Sequence, residues 1–105
     1  MTHTYDVVLD GQLGQRFGRL VWTECGGTVH GTFSLLGFEN PVQGQRTGDL
    51  LDLTHLLHTA VSTLVCRTHA ELCGDELTGV VVSARIRMDL RGKKQQEASE
   101  YEIPE

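Results

Sequence analysis

CGGTVHGTFSLLGFENPVQG, residues 25–44, is the stretch that decides the fold of this chain. A second copy of its skeleton, CGDELTGVVVSARIRMDLRG, occupies residues 73–92. The two stretches share one cysteine and three glycines, and each of these residues lies 48 positions before its counterpart in the second copy. We therefore predict a duplicated hairpin, within two repeats of about 48 residues that cover positions 5–48 and 53–92.

The first copy alternates between apolar and polar residues with a period of two. From Thr28 to Leu35, the odd positions are apolar or small and the even positions are polar. A β-strand places alternate side chains on one face, whereas a helix would scatter them. Gly31 and its counterpart Gly79 fall on the inward face, where a missing side chain usually marks a bend or a close approach of another strand.

The same reasoning along the chain predicts eight short antiparallel strands. They cover residues 4–10, 15–24, 28–37, 38–44, 49–57, 61–72, 76–83 and 86–90. The fourth is predicted to be short, with Phe38 on the inward face and with Pro41 marking an edge or a bulge. Residues 50–65 also show helical spacing of their leucines and valines, so a helix there stays an alternative.

Length and composition restrict the class of protein. A chain of 105 residues is expected to form one domain, here 1–92, followed by a flexible polar tail at 93–105. The net charge of −5 without a basic run argues against binding nucleic acid or a membrane surface. Three cysteines without CxxC spacing, and no stretch typical of a signal peptide, indicate a cytoplasmic protein.

Two halves of four strands suggest an all-β, up-and-down barrel that is closed or nearly closed, since closure removes exposed sheet edges. The pattern G-x-V-x-G-x-F at residues 27–33 resembles the small barrels of the avidin and lipocalin-like (calycin) group. The duplicated layout resembles uncharacterised bacterial β-barrel domains, and the resemblance covers Tyr5 to Gly92. It implies a barrel with a cavity for a small ligand, although the biotin-contacting residues of avidins have no counterparts here.

Polar side chains predicted to point inward suggest where a ligand would bind. His55 stands out, because a buried titratable ring needs a partner or a ligand. The alternative is a core histidine that is hydrogen-bonded to the backbone or to Thr68. We expect a non-catalytic small-molecule-binding module, whose ligand-binding residues are His55, Trp22, Phe33, Tyr5, Asn40 and Thr68.

Catalysis and metal binding have little support in the sequence. It contains no recognisable catalytic or phosphate-binding motif. Cys66 is predicted to point inward, where thiols are usually inert. His55 and His58 lie three apart, which on a strand directs them to opposite faces. We therefore expect no enzyme activity, no metal and no cofactor.

An outward patch of valines suggests a second function. Val61, Val65, Val80 and Val82 are predicted on the solvent side of neighbouring strands, where a contiguous apolar patch is normally covered. We expect this face to form a homodimer, or to bind another protein as a structural or interaction module. A reversal of the two faces, or coverage by the C-terminal tail, would remove the patch.

Overall fold

The computed structural model describes residues 2–12 and 14–95, which form eight antiparallel strands in a closed barrel. The strands are β1 (Thr2–Gly11), β2 (Gly14–Cys25), β3 (Thr28–Leu35), β4 (Phe38–Thr47), β5 (Leu50–His58), β6 (Thr63–Cys73), β7 (Glu76–Val82) and β8 (Arg87–Lys94). Each strand pairs with its neighbour in the chain, and β8 pairs back with β1. The predicted all-β, up-and-down barrel is confirmed, and the helical alternative for residues 50–65 is wrong, because β5 and β6 occupy them.

The two halves of the barrel have the same layout. If 48 is added to the first and last residue numbers of β1 to β4, the results agree with the bounds of β5 to β8 to within two residues. Backbone hydrogen bonds follow the same offset, since the amide of Arg46 donates to Gly27 at 2.8 Å and that of Lys94 donates to Asp75 at 2.7 Å. The shared layout agrees with a duplication, whose origin in one ancestral segment stays a prediction.

The seams at which the halves meet differ in register. Between β4 and β5, Val42 lies opposite His55. The repeat would place Leu90 opposite Val7 at the other seam, but Leu90 lies opposite Leu9 instead. A shift by two residues keeps every side chain on its own side of the sheet, so the core is preserved while the exact two-fold symmetry is lost.

The barrel encloses one hydrophobic core. Its buried apolar side chains alternate along every strand, as the period of two predicts, and are largest in the first half, where Trp22 and Phe33 are fully buried. Burying each side chain of this size contributes about 1.5–3 kcal/mol. A β-carbon on Gly31 would overlap the carbonyl oxygen of Val21, and one on Gly79 would overlap that of His69, so both glycines allow neighbouring strands to approach closely.

The barrel has two distinct ends. We call the end where β1 begins the near end; it carries the short turns between β2 and β3, β4 and β5, and β6 and β7. The opposite end, which carries the connections β1–β2, β3–β4, β5–β6 and β7–β8, is the far end.

Five local expectations need correction. β4 is a ten-residue strand rather than a short one, and Phe38 at its far end is 39 % exposed because the wall finishes there. Val61 lies in the β5–β6 loop, since β6 begins only at Thr63. β8 begins at Arg87 rather than at residue 86, and it extends through Lys94, so positions 93 and 94 belong to the barrel. The rest of the predicted tail, residues 96–105, lies outside the described residues.

Candidate functional site

All six predicted ligand-binding residues lie inside the barrel, where they form two groups. Tyr5 and Trp22 stack on each other towards the near end, with ring centroids 5.2 Å apart. The other four are linked: Asn40 lies opposite Phe33, the Phe33 and His55 rings are 5.6 Å apart, and His55 is hydrogen-bonded to Thr68. Each of the six is buried, His55 being 5 % exposed and the polar side chains of Asn40 and Thr68 not at all.

Both ring nitrogens of His55 have partners. Nδ1 lies 3.0 Å from the carbonyl oxygen of Leu56, which can only accept, so Nδ1 carries the proton. Nε2 then accepts the hydroxyl hydrogen of Thr68, at 2.7 Å. Burial lowers the pKa of the ring, whereas the backbone hydrogen bond acts in the opposite direction, so His55 is neutral and saturated. These contacts match the alternative of a core histidine bonded to the backbone and to Thr68.

Cys66 lies directly across the sheet from His55, on the same inward face. Burial raises the pKa of its thiol, which disfavours the thiolate that a nucleophile requires. The His55 ring offers no free nitrogen to accept the thiol proton. The pair therefore has the properties of packed core residues rather than of a nucleophile and its base.

A charged cluster closes the near end over the Trp22 ring. Glu24 Oε2 accepts the indole N–H of Trp22 at 3.0 Å and an N–H of Arg46 at 2.6 Å. Burial acts to raise the pKa of Glu24, but these hydrogen bonds and the Arg46 charge lower it overall. The His3 ring also stacks on Trp22, with centroids 5.1 Å apart, and completes a lid of aromatic and charged side chains.

One polar atom of this lid, the Nε2 of His3, makes no hydrogen bond among the described residues. This buried nitrogen lies 3.1 Å from Glu24 Oε2, but off the direction that a hydrogen bond needs. Burial lowers the pKa of His3 more than the nearby Glu24 raises it, so the ring is held neutral.

Asn40 repairs a gap in the wall at the far end. The pairing between β4 and β5 ends at the pair Val42–His55. The first part of β4, including Pro41, therefore pairs only with β3. The Asn40 side chain fills this gap: its Nδ2 donates to the Phe33 carbonyl at 3.0 Å, and its Oδ1 accepts the His58 amide at 3.0 Å. Asn40 therefore acts as part of the sheet.

The His58 ring is held in place by the same amide. Its Nδ1 donates to Asn40 Oδ1 at 2.6 Å, and the ring stacks on Phe38 with centroids 5.9 Å apart. The two rings therefore pack beside the Asn40 contact at the far end.

The interior of the barrel is occupied by its own side chains. An eight-stranded barrel is about wide enough to be filled by its side chains. Trp22, Phe33, Leu20, Leu53 and Leu77 fill this interior and are at most 2 % exposed. Grooves of about 490, 350 and 390 Å³ lie on the outer wall instead.

Of the four valines predicted at an interface, two are mostly exposed to solvent. Val61 is 91 % exposed and Val65 is 69 % exposed. Val65 lies opposite Leu56 on β5, which is also exposed.

Val80 and Val82 are only half-exposed and do not join this patch. Charged or titratable side chains lie opposite them on both neighbouring strands. These are His69 and Asp89 for Val80, and Arg67 and Arg87 for Val82.

The structure reveals a larger apolar surface that the sequence analysis missed. Six exposed hydrophobic side chains lie at or near the far end; we call them the far-end apolar patch. They are Phe17, Leu36, Phe38, Leu56, Val61 and Val65. Among the described residues, the other exposed large hydrophobic side chain is Leu50, at the near end. The signal available in the sequence was the run from His58 to Cys66, which is without charge.

Comparison with known proteins gives no relative: no protein-family model matches the chain, and no curated protein matches it. Within residues 2–12 and 14–95, no group of three or more His, Cys, Asp or Glu side chains converges as a metal site would require. In the same part of the chain, no helix has the length and hydrophobicity to cross a membrane.

Proposed function

We propose that this barrel is a non-catalytic protein-interaction module that forms a homodimer through the far-end apolar patch. The observation that carries the proposal is that, of the seven exposed large hydrophobic side chains among the described residues, six lie at or near one end of the barrel. On a monomeric protein, the largest exposed apolar patch is about 300–600 Å², and it is often functional. The proposal moves the interface from the wall of β6 and β7 to the far end, and keeps Val61 and Val65 in it.

The size of the patch suits a dimer. Six side chains of these sizes and exposures present on the order of 500 Å² of apolar surface. A standard interface buries about 800 Å² per partner, and about 65 % of a homodimer interface is apolar. The patch supplies an apolar area of that order, so an interface of standard size needs only polar neighbours in addition.

The local backbone also favours a functional patch. Leu36 has a positive φ of 57° in the β3–β4 turn, where glycine or asparagine would be more stable. Its side chain is nevertheless 45 % exposed, so it contributes little to the core. A leucine that is unfavourable for the turn and contributes little to the core is most simply explained by a contact with a partner.

The small-molecule role expected from the calycin resemblance has weaker support. Strand number and up-and-down order agree with that resemblance. However, the polar side chains that were expected to hold a ligand already make internal hydrogen bonds: both ring nitrogens of His55, the Thr68 hydroxyl and both ends of the Asn40 amide have partners within the barrel. A cytoplasmic location remains part of the proposal, and free thiols at Cys25, Cys66 and Cys73 support a reducing compartment.

Sedimentation velocity between about 5 and 500 μM tests the proposal, since transient dimers span this range. We expect the wild-type chain to reach twice its mass of 11.6 kDa. Val65→Asp should remain at the mass of one chain, because a buried unpaired charge opposes association. The matched control is Leu50→Asp, an exposed apolar residue at the near end, which should dimerise as the wild type does. A wild-type mass of one chain throughout would refute the proposal.

A further inference from the structure

We infer that the dimer is an isologous, end-to-end pair in which the Val61 loop of each copy seats against the Leu36–Phe38 turn of the other. This inference rests on the proposed function and adds the partner surface and the symmetry. It is argued from the shape of the β5–β6 loop, from the surface opposite it, and from the positions of both around the barrel.

The β5–β6 loop is a preformed knob. The amides of Val61 and Ser62 donate to Thr59 Oγ1, at 3.3 and 3.0 Å, and the Thr59 amide donates to the Ser62 carbonyl at 2.8 Å. This network fixes the loop while its tip, Val61, is 91 % exposed. A side chain that is ordered before binding loses little conformational entropy on association. The loop carries no charged residue, so burying it leaves no ion without a partner.

The complementary surface lies in the β3–β4 turn. A groove of about 490 Å³ runs between β2 and this turn, and its lining includes Phe17, Leu36 and Phe38. The three aromatic and aliphatic side chains form an apolar surface that a valine can enter. Of its three charged lining residues, Asp6 and Arg19 pair with each other at 3.1 Å, and Glu39 lies at the edge of the groove beyond Phe38.

The position of knob and groove fixes the symmetry. The β3–β4 turn and the β5–β6 loop lie one strand to either side of the seam between β4 and β5. Strands are spaced about 4.8 Å apart, so the two features are about 10 Å from each other. A two-fold axis through that seam at the far end places the knob of each copy on the turn of the other, so the contact is made twice. The stacked rings of Phe38 and His58 then lie beside the axis.

Both partner surfaces occur on the same end of one chain, which is why a second copy is the occupant we choose. A different protein would need to reproduce a knob and a turn at the same spacing. The closed two-fold arrangement also leaves no far-end apolar patch free for further association, so the assembly stops at two.

Disulfide trapping between separate copies tests the inference. Cys25 and Cys73 are first replaced by serine, while the buried Cys66 is kept. Two variants, Leu36→Cys and Val61→Cys, are then mixed at equal concentration and mildly oxidised. We expect mixed Leu36–Val61 disulfides in at least about ten-fold excess over Val61–Val61 disulfides, because paired thiols experience a millimolar effective concentration. Peptide mass spectrometry identifies each product.

A matched control and a separate readout distinguish the possible failures. Leu50→Cys mixed with Val61→Cys should give no enrichment, since Leu50 lies at the near end. Masses of the reduced variants are measured in parallel by sedimentation. A dimer without enriched mixed disulfides would overturn the end-to-end arrangement while the proposed function stands. A monomeric wild-type chain would overturn both.

Discussion

Replacing Asn40 by alanine should destabilise the barrel more than the loss of one polar side chain suggests. The substitution leaves the His58 amide without its Asn40 partner, and it removes the side-chain hydrogen bond to the carbonyl of Phe33, a residue that is also paired in the sheet with Leu20 and Asn40. A buried backbone group left without a hydrogen bond costs about 1–3 kcal/mol, and the loss of a single hydrogen bond about 0.5–1.5 kcal/mol. We therefore expect a loss of about 3 kcal/mol, a large fraction of the about 5–15 kcal/mol that stabilises a typical domain.

Urea denaturation followed by tryptophan fluorescence measures this loss. Trp22 is the only tryptophan of the chain and is fully buried, so its emission reports unfolding of the barrel. With a slope of about 1–3 kcal/mol per molar urea, the midpoint of Asn40→Ala should fall by about 2 M. The slope itself should not change, because the surface exposed on unfolding stays the same.

Two controls isolate the role of the Asn40 side chain. Gln43→Ala changes an exposed residue on the same strand and should alter stability by less than about 0.5 kcal/mol. His58→Ala removes the ring but keeps the amide bond to Asn40, and should cost about 1 kcal/mol. Two results would refute the claim that the Asn40 side chain bridges β4 and β5. One is a stability of Asn40→Ala equal to that of Gln43→Ala, and the other is unchanged hydrogen-exchange protection of the His58 amide in Asn40→Ala.

Three further predictions concern pH, packing and the near end. His55 and His3 have lowered pKa values in the folded chain, so their contribution to stability is complete above about pH 6.5 and is lost as the pH falls through those values. His55→Gln should reduce the dependence of the free energy of unfolding on pH, measured by urea titrations from pH 7.5 to 5. An unchanged dependence would contradict the lowered pKa of His55. Gly31→Ala should lower stability by about 2–3 kcal/mol in thermal melts, because its β-carbon overlaps the neighbouring strand. Glu24→Gln should cost about 1 kcal/mol and shift Trp22 emission, since it removes the charge that Arg46 pairs with.

The fold was predictable because its signals are local. Alternation along 28–35 and glycines at matching turns indicate strands whatever the rest of the chain does. The same period placed His55 and Thr68 inside, where the structure has them. A helix at 50–65 stayed open because two overlapping sets of apolar residues fit the two periods: Leu51, Leu53 and Leu57 alternate as in a strand, whereas Leu50, Leu53, Leu57, Val61 and Leu64 recur every three or four residues as in a helix. Pairing between β5 and β6 resolves that ambiguity, and it is a long-range interaction.

The far-end apolar patch could not be predicted from alternation. Its members come from β2, the β3–β4 turn, the start of β4, the end of β5, the β5–β6 loop and the start of β6. Alternation distinguishes the inside of a strand from its outside, but not one end of the barrel from the other. Phe38 illustrates the limit, because its position in the pattern is inward while the wall finishes beside it.

The Asn40 contact depends on a feature that sequence does not show. The gap that it fills follows from where the pairing of β4 with β5 ends. Two seams that the repeat makes equivalent differ in register by two residues. Register between strands is set by packing of the whole barrel, so it appears only in three dimensions.

Concentration-dependent amide chemical shifts test the central claim, dimerisation through the far end, most directly. Heteronuclear NMR spectra of the wild-type chain would be recorded between about 20 μM and 1 mM, the range in which weak dimers form. The proposed dimer predicts shifts confined to the far-end apolar patch, largest in the β3–β4 turn around Leu36 and the β5–β6 loop from Thr59 to Ser62, with the near-end turns unchanged. Shifts on the outer wall around Val80, or spectra that are identical at every concentration, would contradict it.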